Sequence, residues 1–369
     1  MRPHTHAFSV LAAIAAFAST SSSARAQEVD DDIIELIRAD LTRLSVNTPI
    51  WLAEHLPSMM SPVGTGAGAG IGDDSGGFSL GLVTRLGLFN NFDDVGNGLD
   101  VVDVQGDMPS VLPWPQVGIV LGANLGKGFE LGGDFQFLPE TDISTEDAKF
   151  TVAMLQAAVG ARFRANKAEG AVPAFVIGCG ASYYRGVFKA GTAYSNRYSE
   201  TVEGQVVEGT VTVETAPAVE WSLFQISPEI RLAWDIGGVF RPYLGIGLGL
   251  TFGDVSDRVH VRATATLDSV AGQPQNEQVE YDADIVSFTT DPALYALRPH
   301  VGFDIVAGIF AFTFQLDLAV MGKNEIDSDL GDAADSFDPD DGNYLFNQNS
   351  RGSQTQAALI GTLALRLQF

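Results

Sequence analysis

Cysteine is nearly absent: Cys179 is the single one in 369 residues. A disulfide framework and any multi-cysteine metal site are thereby excluded. Basic residues are also few, with 21 Lys and Arg against 46 Asp and Glu, for a formal net charge of −25. Such a chain is a poor partner for nucleic acid, because phosphate contacts need Lys and Arg. Long apolar runs are missing too. Nothing beyond the N-terminus approaches the ~20 residues that a membrane-spanning helix requires. What is abundant is glycine, 40 residues, or about 11% against a usual ~7%. Apolar residues reach 46%, too many for a disordered acidic chain. An acidic chain with a mean hydropathy of +0.12 must keep its charge and its apolar surface in different places.

The first 26 residues read as a secretory signal peptide. Arg2 supplies the basic start, Phe8 to Ala18 the apolar run, and Ala24-Arg25-Ala26 the small-x-small cleavage site. Cleavage before Gln27 removes Arg2 and Arg25, leaving 19 basic against 46 acidic residues and a net charge of −27. No Cys follows the cut, so a lipoprotein anchor is unsupported. An exported chain without a spanning helix is secreted, periplasmic, or a barrel in an outer membrane.

From residue 78 onward the dominant period is two. Phe310, Phe312, Phe314, Leu316, Leu318 and Val320 share one face, with Ala311, Thr313, Gln315, Asp317 and Ala319 between them. Phe240, Leu244, Ile246, Leu248, Leu250 and Phe252 repeat the pattern against Tyr243, Gly245, Gly247, Gly249 and Thr251. A soluble sandwich also alternates, but here the second face is Gly, Ala, Ser, Thr, Gln and single charges, which suits a barrel lumen. Short connectors (Gly126 to Gly128, Asn166 to Gly170, Gly237-Gly238, Ala307-Gly308) alternate with longer polar ones. The longer set is Asn90 to Trp114, Pro139 to Ala148, Ala190 to Gly204, Ser269 to Gln278 and Lys323 to Gln354. That alternation predicts an all-β, transmembrane, antiparallel up-and-down barrel of about ten strands. Val206 to Thr215, Arg258 to Leu267 and Val279 to Thr289 also alternate, with few large side chains. They read as extensions of strands six, seven and eight above the bilayer; as separate strands they would raise the count to 12 or 14.

The signal peptide, the alternating strands and the terminal Leu365-Arg366-Leu367-Gln368-Phe369 together resemble a Gram-negative outer-membrane β-barrel protein. The resemblance covers residues 78–369 as an architecture. It implies outer-membrane localisation, contact with outer-membrane lipid and lipopolysaccharide, and handling by the insertion machinery that reads a terminal Phe. Leu56-Pro57, then Gly64 to Gly72, then a first strand at Phe78 loosely resembles the long-chain fatty-acid transporter group, whose N-terminal segment is tucked into the lumen. No functional residue of that group matches by motif.

Residues 27–77 form an N-terminal helical and Gly-rich segment, predicted as either a lumen plug or a periplasmic cap. Ile33, Ile34, Ile37, Leu41 and Leu44 mark one helix face, and a second short helix is expected around Trp51 to Leu56. Gly77-Phe78-Ser79-Leu80-Gly81 matches the G-x-S-x-G of hydrolases, yet it opens an alternating strand rather than a strand-turn-helix elbow. A Ser79–His300 esterase has no further support, so no enzyme activity is expected. Asp327, Asp329, Asp338, Asp340 and Asp341 crowd the longest loop out of EF-hand order. They read either as a solvated acidic loop or as weak ligands for Ca²⁺ or Mg²⁺; no other cofactor is expected.

The inward register collects Arg85, Arg162, Arg231, Arg241, Arg298 and Arg366 with Glu130, Asp134, Glu229, Asp304 and Asp317. The lumen is therefore nearly neutral, and much of the surplus acid lies in the outer connectors. Balanced charge in a narrow barrel has two readings: structural pairing, or a constriction that selects solutes. The expected function is a passive channel or transporter for small or hydrophobic solutes. The alternative is a structural or surface-interaction barrel with a plugged lumen and cation-binding outer loops.

Overall fold

The computed structural model describes residues 48–60, 76–92, 110–144, 149–202, 205–270, 273–322 and 356–369. The signal peptide, the Ile33 to Leu44 pattern, the Gly64 to Gly72 run and the acidic Asp327 to Asp341 loop lie outside these residues. Among the described residues one helix, α1 (residues 48–59), precedes eleven strands. These are β1 (Gly77–Asn90), β2 (Val111–Gly126), β3 (Phe129–Ser144), β4 (Lys149–Arg164), β5 (Ala174–Val202), β6 (Gln205–Ala233), β7 (Phe240–Val270), β8 (Gln273–Thr290), β9 (Tyr295–Ala307), β10 (Phe310–Met321) and β11 (Gln356–Gln368).

Ten strands close a barrel. Neighbours pair antiparallel in chain order from β1 to β7, β7 then pairs β9, and β11 returns to β1. Closure leaves the barrel itself without an edge, the condition under which strands can cross a bilayer. The alternation is realised as drawn from the sequence. Leu82, Leu86, Val117, Ile119, Leu121, Phe135, Phe137, Ile230, Leu244, Phe312 and Leu365 all point outward and stay 37–67% exposed. Large apolar groups outside and polar groups inside invert a soluble fold and match a lipid-facing wall. Cys179 sits on that outer face.

Four of the five long connectors are shorter than their polarity implied; in one of them Pro139 to Ser144 still belong to β3. Pro113-Trp114-Pro115 is already strand β2. Residues 190–202 complete β5, 205 opens β6, and only 203–204 fall between them. Residues 269–270 end β7, and 273 opens β8. Beyond the bilayer a strand needs no apolar face, so polar composition there does not mark a loop. The upper parts of β5, β6, β7 and β8 form a four-stranded extension of the wall.

The Val279 to Thr289 segment is a correction in detail. It is its own strand, β8, rather than a continuation of β9. Both strands pair with β7, β8 along Val255–Val270 and β9 along Phe240–Leu250. Residues 291–294 break the run between them, with Pro292 supplying no amide donor.

Candidate functional site in the barrel lumen

α1 lies inside the barrel. Ile50, Trp51, Leu52, Leu56, Met59 and Met60 are all within 1% of complete burial. The helix descends from the long-connector rim. β1 starts at Gly77 beside the short turns and ends at Asn90, so Asn90 marks the opposite rim. Near the helix start, Trp51 Nε1 donates to Asn90 O at 3.1 Å, and His55 Nε2 lies 3.4 Å from Asn90 Oδ1. At the helix end, Arg85 Nη1 donates to Met59 O at 2.6 Å, deeper in the lumen.

The local chemistry of α1 explains how it is held. Pro49 suits a first turn, where a missing N–H costs nothing. Pro57 has no N–H to return to Ala53 O, which freed carbonyl instead accepts from Ala293 N at 3.0 Å. The break in the wall between β8 and β9 is therefore where the helix docks. The last carbonyls of any helix lack partners within it. Here the wall supplies them: Gln225 Nε2 donates to Pro57 O at 3.1 Å, and Arg298 donates to both Pro57 O and Met60 O. Cations at this end also suit the helix dipole. Gly87 faces Met59 so closely that a Cβ there would strike its sulfur.

Around α1 the luminal wall is apolar and aromatic. Phe89, Phe92, Trp114, Tyr184, Phe188 and Trp221 are at most 3% exposed, packed with Met154, Leu223, Val255 and Met321. Trp114 Nε1 donates to the Tyr184 hydroxyl at 2.9 Å, so the indole N–H is satisfied. Sequence reading missed this chamber. Its signal is Trp114, which alternates inward against Val117 and so sets an aromatic ring on the otherwise polar face.

Deeper lies the charged layer. Paired positions Glu130, Arg162, Gly178, Glu229, Gly247 and Arg298 form one lateral row across six strands. Glu229 bridges two cations, with Arg162 Nε at 2.9 Å from Oε1 and Arg231 Nη2 at 2.9 Å from Oε2. Arg162 stands two strands away, and Gly178 between them has no side chain to block the pair. Arg231 also lies over the Tyr243 ring, 5.1 Å from its centroid. Tyr243 donates to Gln315 Oε1 at 3.1 Å, and Gln315 Nε2 donates to Asp317 at 2.8 Å. Lower still, Arg366 meets Asp304 at 3.7 Å, with Thr313 hydrogen-bonded to both. Gln136 Nε2 donates to Asp134 at 2.9 Å. Glu130 is only partly buried, and Arg241 reaches the short-turn rim, 3.4 Å from Asp235.

All eleven charged residues expected inward thus face the lumen or its rim, and nine are at most 5% exposed. The Gly245, Gly247, Gly249 stripe does not leave an empty wall. A Cβ at Gly245 would meet the His300 ring, and one at Gly249 would meet the Gln225 amide. Neighbouring strands lay their side chains into the space. Ser79 lies within the β1 ladder, opposite Gln368 and Gly122, so the hydrolase elbow is absent. No group of three or more His, Cys, Asp or Glu suited to a metal occurs among the described residues.

No family model matches the sequence, and no curated protein is similar to it. Among solved structures, the chain is similar to the translocator domain of the autotransporter NalP from Neisseria meningitidis. That likeness has 11% identity, covers 80% of this chain and 89% of that one, and has a TM-score of 0.33. The toluene transporter TbuX of Ralstonia pickettii aligns at 9% identity over 83% and 92%, TM-score 0.24. An outer-membrane channel from Pseudomonas putida F1 aligns at 12% identity over 79% and 96%, TM-score 0.27.

Proposed function

We propose that this outer-membrane β-barrel is a passive channel for small apolar or amphipathic solutes, with the described conformation its closed state. One observation carries the reading: the lumen is filled by a separate segment, α1, rather than by wall side chains alone. A segment held only by non-covalent contacts leaves by breaking those contacts, whereas a wall side chain cannot leave. Once α1 moves, the surface it uncovers is aromatic and apolar above and charged below. The apolar part suits a hydrophobic solute, and the charged row sets a polar constriction.

A second reading rests on the same burial. Nine luminal charges at most 5% exposed are also what a permanently plugged structural barrel would show. Planar-bilayer recordings separate the two. Wild type is expected to conduct rarely, and Gly87→Leu, which forces Met59 away, frequently. Silence in both, with the barrel folded, would leave the structural reading standing.

A further inference from the structure

We propose that Arg85 and Arg298, with Gln225, form a binding site for a small organic carboxylate, which α1 occupies with its own carbonyl oxygens in the closed barrel. The inference rests on the channel reading, since a solute reaches the site only through the lumen.

The luminal arginines fall into two kinds. Arg162, Arg231 and Arg366 each meet a carboxylate oxygen within 3.7 Å. Among the described residues, Arg85 and Arg298 meet none. Their hydrogen bonds go to Met59 O, Pro57 O, Met60 O and Gln225 Oε1, all neutral acceptors. Both are 1% exposed, and the Nε of each has no partner. The two guanidiniums hydrogen-bond the carbonyls of adjacent residues, Met59 and Met60. The carboxylates of the same layer are engaged by amides, Asp317 accepting from Gln315 and Asp134 from Gln136.

Buried cations facing neutral oxygens are incompletely compensated, because a helix end offers only about half a negative charge. A carboxylate brings a full charge and two oxygens spaced for guanidinium donors, and charge-assisted bonds are roughly twice as strong as neutral ones. It would therefore outcompete the carbonyls and release the end of α1. The aromatic wall at Phe89, Trp114 and Tyr184, part of the same cluster as Met59, would then receive the apolar body of the solute.

Ser58 is fully buried in the closed state and serves as the reporter. In the full chain carrying Cys179→Ala and Ser58→Cys, labelling by a water-soluble maleimide is measured in vesicles against benzoate concentration. Chloride at equal ionic strength is the control. The expected result is a saturable rise of at least fivefold with benzoate and none with chloride. Arg298→Gln is expected to raise the basal rate and abolish the benzoate response. Arg85→Gln replaces it if that variant does not accumulate as folded barrel. Equal rates with both anions, an undiminished response in the variants, or no labelling under any condition would overturn the site. Frequent conductance in Gly87→Leu with benzoate-insensitive labelling would remove the site and leave the channel.

Discussion

Glu229 holds two guanidiniums at once, and its removal would leave Arg162 and Arg231 as buried cations without that anion. Breaking a buried pair costs about 3–5 kcal/mol, because the surviving charge is stranded. Glu229→Gln is therefore expected to lower unfolding stability by that amount, read by urea titration in phospholipid vesicles. Arg241→Gln is the control. Its pair with Asp235 is partly exposed at the rim, so a change below about 1 kcal/mol is expected. Gly178→Val tests the same row from the side. A Cβ there lies 3.1 Å from the Glu229 carboxylate, so the branched side chain should separate the Arg162–Glu229 pair and destabilise the barrel as Glu229→Gln does.

At the scale of the element, α1 is balanced between large opposing effects. Burying its six apolar side chains contributes on the order of 10 kcal/mol. Ordering about 13 residues costs a similar amount. Hydrogen bonds from charged donors, at about 1.5–3 kcal/mol each, then decide whether the helix stays. Ala293→Pro removes the donor to Ala53 O and should expose α1 to protease added at the outer rim, with the barrel still intact on gels. Resistance equal to wild type would show that the wall break does not hold the helix. The same element shows the limits of periodicity. The short helix around Trp51 to Leu56 was legible, but apolar residues on all sides say only that it is buried, not in what.

For the whole molecule, the extension above the barrel is separable from closure. β7 pairs β9 over Phe240–Leu250, below its pairing with β8. Arg258 and Ser287 are direct partners, so replacing the stretch between them with a two-residue turn joins adjacent ends. The shortened protein is expected to keep the heat-modifiable gel shift of a closed barrel. Loss of that shift would mean that the extension is needed for folding. Deleting Lys323 to Gln354 tests the role of the acidic loop in the surface-interaction reading: conductance should persist while divalent-cation binding falls.

The two-residue period alone determined the faces. A strand has only two sides, so Arg85, Glu229 and Arg298 had to turn inward once Leu82, Ile230 and Leu297 faced lipid. The barrel needed more than the period: the small and polar make-up of the second face and the alternation of short and long connectors set it apart from a soluble sandwich, which also alternates. Tertiary structure decided what the inward residues meet. The row from Glu130 to Arg298 depends on register across six strands, and the capping of α1 by Arg298 joins positions far apart in the chain. Periodicity assigns a side chain to a face; which partner occupies that face is fixed only by closure of the barrel and the seating of a separate helix within it.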